Sequence, residues 1–274
     1  MIRSLYTGIS GLRGFQTKLD VIGNNIANVN TVGYKKSRVM FQDVLSQNIQ
    51  GATAPNEDTG RGGINPMQVG LGSQVGSIEM AFSAGSPMTT NLPTDLSIEG
   101  DAFFVVSAGA DGPLYYTRAG NFTRDANGTL VNSQGLKLQA AGGGDITISR
   151  EDYTSYSIGK DGKVIGVLPD GTLEEIATVG VMTFNNPGAL KKVGNSLYEY
   201  TNNAGAVGGD PATPLDPTAD EAKVNIISGQ LEMSNVDLSE EFTEMIVAQR
   251  GFQANSRIIT TSDSVLEELV NLKR

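Results

Sequence analysis

The sequence predicts an α+β protein: paired N- and C-terminal coiled-coil-like helices joined to a mainly antiparallel β domain. Three observations carry this expectation. Apolar residues recur every seven positions at both ends of the chain. Asn-Gly and Asp-Gly pairs separate short apolar runs through the middle. Glycine (34) and proline (10) are frequent enough to demand many turns.

At the N-terminus Leu5, Leu12, Leu19 and Ile26 are spaced by seven, joined by Ile2 and Ile9 and flanked by Phe15, Ile22 and Val29. That spacing lines one face of a helix. Only Arg3, Arg13, Lys18 and Asp20 are charged in the first 30 residues, fewer than a solvated helix carries. Gly8, Gly11, Gly14 and Gly23 keep the helix thin, which suits close approach of a neighbour. The stripe then runs into amides at Asn24, Asn25, Asn28 and Asn30, and Gly33 reads as a stop. Asparagine is a poor helix former because its amide competes for backbone hydrogen bonds. At a helix interface, however, an uncharged amide can fix register, whereas a buried charge is costly unless paired. Asn24, Asn25 and Asn28 are therefore expected where the helix leaves one contact and enters another.

The C-terminus mirrors this pattern, with Leu238, Met245, Phe252, Ile259 and Leu266 again seven apart. Asp237 followed by Glu240 has the spacing of a capping box. Between Phe242 and Ser262 only Glu244, Arg250 and Arg257 are charged. The two helices either form a hairpin within one chain or pack on other copies of it. Uncharged polar faces favour the second arrangement. Both stripes and the three asparagines together form the expected assembly surface.

The expected organisation is a helical assembly domain of 1–33 and 234–274, an extended arm of 34–77 and an outer β domain of 78–233. Within the arm, 46–77 holds seven glycines and two prolines, which argue against a regular element. It is either a disordered linker or a segment that settles only against neighbours. In the β domain the run from Ala102 to Val106 reads as a buried strand. Asn127-Gly128, Asp161-Gly162 and Asp170-Gly171 read as tight turns. "NSLYEY" and "VNIISGQLEMS" add strands, and 201–217 reads as a loop.

The composition excludes several function classes. The chain has no cysteine, histidine or tryptophan, which removes the common nucleophile–base pairs and nearly all zinc sites. A net charge of −10 disfavours nucleic acid as a partner. No apolar run approaches ~20 residues, so no membrane insertion is expected, and the N-terminus lacks the apolar core of a cleaved signal peptide. Asp125, Asn127 and Gly128 do not complete a calcium loop, and the glycines from Gly70 lack dinucleotide spacing. No catalytic residue, metal or cofactor is expected, and the chain does not read as an enzyme.

Three stretches carry a family resemblance: "NNIANVNTVGYKK" (24–36), "YTRAGNFTRDANGTLVNSQG" (116–135) and "LEMSNVDLSEEFTEMIVAQRGFQANSRIITTSD" (231–263). They closely resemble the bacterial flagellar rod and hook proteins, in family order. The nearest likeness is to the short hook branch of Bacillus-like bacteria, with the distal rod branch a near relative. The resemblance implies export through the flagellar type III apparatus without a cleaved signal peptide. It also implies polymerisation into a hollow helical tube outside the cell, with the terminal helices inside and the β domain outside. Distal rod, hook cap and hook–filament junction proteins are the partners it implies. The leading expectation is a subunit of the flagellar hook, a flexible joint that passes motor torque to the filament. The alternative is a distal rod subunit acting as a rigid drive shaft. From a different class, a secreted β-domain adhesin or glycan binder would explain the strands but not the two helical stripes.

Overall fold

The computed structural model describes residues 2–54, 62–109, 112–208, 210–220 and 222–272. The side chain of Ile2, and Gly60 in the arm, lie outside the described residues. Two helices and a set of antiparallel sheets make the protein α+β. Helix α1 spans Ile2–Ala27 and helix α2 spans Leu238–Leu272, 26 and 35 residues long. Beyond α1 the chain turns at Gly33, whose φ is +65°. A Cβ at Gly33 would stand 2.5 Å from the Ala119 nitrogen, so only glycine fits. Asp237 caps α2: its Oδ1 accepts from the Ser239 nitrogen at 2.8 Å and from that of Glu240 at 3.4 Å. Glu240 and Glu241 in the first turn complement the helix dipole.

The chain divides into two compact units along boundaries other than those read from the sequence. One comprises Met1–Ile26, Ser37–Glu79 and Asp237–Arg274; the other comprises Ala27–Lys36 and Met80–Val236. The arm therefore groups with the helices, and the segment following α1 groups with the β sheets.

The arm also departs from the expectation of no regular element. Strand Ser37–Asp43 pairs with Ser73–Met80, and Ser46–Gln50 pairs antiparallel with Met67–Gly70. A bridge between Thr53 and Ile64 extends the second ladder. Local alternation contributes: Met67 and Val69 in "MQVG", and Ile78 and Met80 in "IEM", are spaced by two, which suits a strand. The glycine count had hidden this pattern.

In the second unit, strand Ala102–Ser107 is buried along its whole length. Leu114–Thr117 pairs with one edge; Lys137–Leu138 and Val181–Thr183 share the other. Because side chains alternate across a strand, its two faces serve two cores. Ala102, Phe104 and Val106 pack with Leu96, Phe122, Ile146 and Ile226. Phe103 and Val105 pack with Tyr116, Met182, Phe184 and Tyr198. A strand covered on both faces has to be apolar throughout, as the "AFFVV" run is.

All three expected turns are present. Gly128, Gly162 and Gly171 have φ of +88°, +75° and +76°. The first joins Thr123–Arg124 to Leu130–Val131, and the other two join the three strands Ser155–Ile158, Lys163–Val167 and Leu173–Thr178. "VNIISGQLEMS" forms two strands, Asn225–Ser228 and Gln230–Glu232, broken at Gly229.

Candidate functional site

Within the first unit α1 and α2 run antiparallel and approach each other at several places. Lys18 pairs with Glu244, and Asn25 Nδ2 donates to Glu241 Oε2 at 3.1 Å. A Cβ on Gly11 would lie 2.8 Å from Asn255 Nδ2, one on Gly8 3.3 Å from Ile259 Cγ1, and one on Gly251 2.5 Å from the Phe15 ring. The close face of α1 thus runs through Gly8, Gly11, Phe15, Lys18, Ile22 and Asn25, spaced alternately by three and four.

This face is adjacent to, but not the same as, the stripe read from the sequence. Leu5, Leu12, Leu19 and Ile26 are half-buried, whereas Gly8, Gly11, Gly14, Ile22 and Asn25 are buried. Of the asparagines, Asn25 is buried, Asn28 half-buried and Asn24 exposed. Asn28 Oδ1 accepts from the Thr31 hydroxyl at 3.1 Å. On α2, Met245, Ile259 and Leu266 are half-buried, but Leu238 and Phe252 are exposed; the fully buried positions are Glu241 and Ala248. Of the four glycines expected to allow close approach, Gly8 and Gly11 lie at the seam, whereas Gly14 faces Phe41 and Gly23 faces open space.

A large apolar surface stays uncovered on this unit. Tyr6 on α1 is 68% exposed, and on α2 Ile246, Val247, Ile258, Val265, Leu269 and Leu272 are between 44% and 82% exposed. Ile258, Val265 and Leu272 recur every seven residues, and Leu269 falls four after Val265. On the arm, Leu45, Ile49, Ile64 and Met67 are also more than half exposed. Patches of this kind mark interaction surfaces. No helix among the described residues is long and apolar enough to cross a membrane.

The second unit contains a buried ionic cluster that spacing did not reveal. Glu232 Oε1 is 2.5 Å from Lys35 Nζ and accepts from the Gly85 nitrogen at 3.0 Å, while its Oε2 lies 3.3 Å from Arg118 Nη1. Lys35 also donates to the Ser83 carbonyl at 2.8 Å, and Arg118 Nη2 to that of Gly100 at 2.7 Å. The Arg118 guanidinium lies 5.1 Å from the centre of the Phe103 ring. All three charged side chains are at most 5% exposed. Burial pulls the Lys35 ammonium below the usual lysine range, and the charge of Glu232 opposes that shift. Around the cluster, the Gly33 nitrogen donates to the Glu232 carbonyl (2.8 Å) and the Lys36 nitrogen to Asn235 Oδ1 (2.8 Å). Asn235 Nδ2 donates in turn to the Ala81 carbonyl at 2.8 Å. The only advance signal was that Lys35, Arg118 and Glu232 each sit in one of the three motif stretches.

Comparison with known proteins matches those same regions. Residues 5–35 match the model of flagella basal body rod proteins, 97–166 that of the flagellar hook protein FlgE/F/G D1 domain, and 227–272 that of the flagellar basal body rod FlgEFG protein C-terminal. The flagellar basal-body rod protein FlgG of Bacillus subtilis (strain 168) is 52% identical over 274 residues, covering all of both chains. FlgG of Borreliella burgdorferi is 37% identical over 282 residues, again covering all of both. The flagellar hook protein FlgE of the same organism is 28% identical over 451 aligned residues, with both chains fully covered. These relatives are structural proteins of the flagellum rather than enzymes. Lys35, Arg118 and Glu232 fall one in each matched region, and the identity runs the full length of the chain: it belongs to the flagellar rod and hook protein family.

Proposed function

We propose that this protein is a flagellar rod subunit that self-assembles into a hollow helical tube and acts as a rigid drive shaft in the basal body. The observation that carries this reading is the full-length similarity to FlgG. Alignments with the rod proteins need 274 and 282 residues, whereas that with the hook protein needs 451, so much of the hook protein has no counterpart here. This favours the rod over the hook, the reverse of the order expected from the motifs alone.

The uncovered apolar residues of α1, α2 and the arm support self-assembly. In this reading the helices pair in coiled-coil fashion and, with other copies, form the inner wall. Met245, Ile259 and Leu266 close the pair together with the α1 stripe of Leu5, Leu12, Leu19 and Ile26. Leu238 and Phe252 contact neighbouring subunits. The β sheets form the outer layer. Export by the flagellar apparatus and contact with the adjoining rod and hook proteins follow from the same reading.

The absence of cysteine provides a clean test. Leu173, 72% exposed on the β unit, can be replaced by cysteine and labelled with gold in isolated hook–basal bodies. Label is expected on the straight section below the hook. Label along the curved hook would overturn the rod reading.

A further inference from the structure

The ionic cluster of the β unit is built at a cost. Two cations and one carboxylate are withdrawn from water, and well-packed apolar side chains of similar volume often serve stability as well or better. Arg118 Nε is buried without a hydrogen-bond partner, a further penalty for retaining arginine there. What apolar packing cannot supply is direction. Glu232 receives Lys35 and Gly85 on one oxygen and Arg118 on the other, so four separate stretches of chain are fixed by a single carboxylate. Two of these stretches have a special position. Gly33–Lys36 follows α1, and Glu232–Asn235 precedes α2. They are joined a second time through the Gly33 nitrogen to the Glu232 carbonyl, and a third time through the Lys36 nitrogen to Asn235. Both stretches belong to the β unit rather than to the helical one.

We propose that Lys35, Arg118 and Glu232 are positioning residues for assembly, holding the root of α1 in fixed register against the root of α2 whether or not the helices have met a partner. A subunit must present two helices 197 residues apart in sequence, as measured between Lys35 and Glu232, as one unit. A clamp made before the helices pack leaves less chain to order when the subunit adds to a polymer. A one-residue slip of the α1 root would part Lys35 from the carboxylate, and a slip of the α2 root would part the carboxylate from both cations, so the full cluster forms in one register only. The assembly part of this proposal rests on the polymer reading above; the clamp itself does not.

The test uses the full-length monomer, with Asn30→Cys and Val236→Cys spin-labelled on the two roots. The distance distribution between the labels is compared in the otherwise native chain, in Glu232→Gln and in Asn235→Ala. Glu232→Gln leaves two cations facing a neutral amide. Asn235→Ala cuts the outer bonds without touching any charge, and so guards against a folding failure of the first variant. Both variants are expected to broaden the distribution while keeping the near-ultraviolet circular dichroism of the Tyr116 and Tyr198 core. Both are expected to raise the critical concentration for polymerisation about tenfold. Lys35→Met leaves the charge-balanced Arg118–Glu232 pair and should broaden the distribution less. The proposal is overturned if both variants keep a narrow distribution, or if both lose the tyrosine signal along with it, which would make the cluster an ordinary part of the core. A native chain that forms no polymer would count against the rod reading alone, since the monomer distances still decide the clamp.

Discussion

Asn25 and Glu241, 216 residues apart in sequence, meet in a buried hydrogen bond of 3.1 Å. The same Asn25 amide donates to the Ser37 carbonyl at 2.8 Å and accepts from the Ser37 nitrogen at 3.0 Å. One side chain thus joins the last turn of α1, the first turn of α2 and the strand that opens the arm. Replacing Asn25 by alanine leaves the Glu241 carboxylate and both Ser37 backbone groups short of a partner. Each lost bond costs about 1 kcal/mol, and more where the remaining group is charged. The expected loss is about 2–4 kcal/mol, read as a lower urea midpoint in far-ultraviolet circular dichroism. A change within about 0.5 kcal/mol, the usual size for an exposed site, would mean that the amide is not part of the joint.

How much of this was legible varies from place to place. Both helices were, because a seven-residue repeat survives in any context. The three glycine turns were, because the conformation each one needs is local. The seam was legible in part: Gly8 and Gly11 stand out by smallness as points of close approach, but apolar spacing does not record Ala248 or Gly251 on the facing helix. Lys35, Arg118 and Glu232 were visible as residues of three motifs, yet nothing local says that charges so far apart in sequence share one buried site. The strands of the arm are concealed by the seven glycines of 46–77, among which only short alternating runs such as "MQVG" remain.

Neighbouring isoleucines on α2 should behave differently. Ile259 is half-buried beside Gly8, whereas Ile258 is 44% exposed. Ile259→Asp places a charge against α1 and should loosen the helix pair itself, at a cost of several kcal/mol. Ile258→Asp should leave the monomer unchanged in circular dichroism and abolish pelleting of polymer. Normal polymer from Ile258→Asp would show that the exposed stripe is not an assembly surface.

Gly251 is a steric test of the seam. A Cβ there would fall 2.5 Å from the Phe15 ring, and Phe15 itself packs against Phe41 with ring centres 5.8 Å apart. Gly251→Val should displace the ring and separate the helices, costing about 1–3 kcal/mol as overpacking does. Restoration by a second change, Phe15→Ala, would tie the effect to this contact. Failure of Phe15→Ala to restore stability would assign it to helix propensity or strand-like branching instead.

The β unit should unfold at high pH. Burial pushes the Tyr116 phenol from its ordinary value near 10.0 up to about 12, and raises that of Tyr198 as well. A raised folded-state value means that the stability contribution is complete below pH 10. It is lost as the pH climbs toward the folded value, at up to about 1.4 kcal/mol per pH unit for each tyrosine. Lys35 acts the other way, since its folded value is lowered, but its influence ends above its ordinary value of 10.5. Stability should therefore fall between pH 10.5 and 12, with tyrosinate absorbance rising together with loss of strand signal. Tyr198→Phe should shift that transition upward. Tyrosinate appearing well before unfolding would show the phenols to be accessible in the folded protein.

The arm bears on stiffness. A drive shaft must resist bending, and close-packed interfaces resist deformation. The ladder of Ser46–Gln50 with Met67–Gly70 leaves Ile49 61% and Met67 56% exposed. A lone two-stranded ribbon is only marginally stable in water, so these apolar side chains need a neighbour. In the polymer that neighbour is expected to be the adjacent subunit, which makes the arm a tie between copies rather than a linker. Deleting residues 50–66 removes the tip of the ribbon and its Thr53–Ile64 bridge, while leaving both helices and the β unit intact. Polymers should still form, because the helix stripe remains, but they should bend. Electron micrographs of detached polymers measure this as a shorter persistence length than that of the native shaft. Loss of all polymer would make the arm an assembly element. Unchanged straightness would move the source of rigidity to the helices.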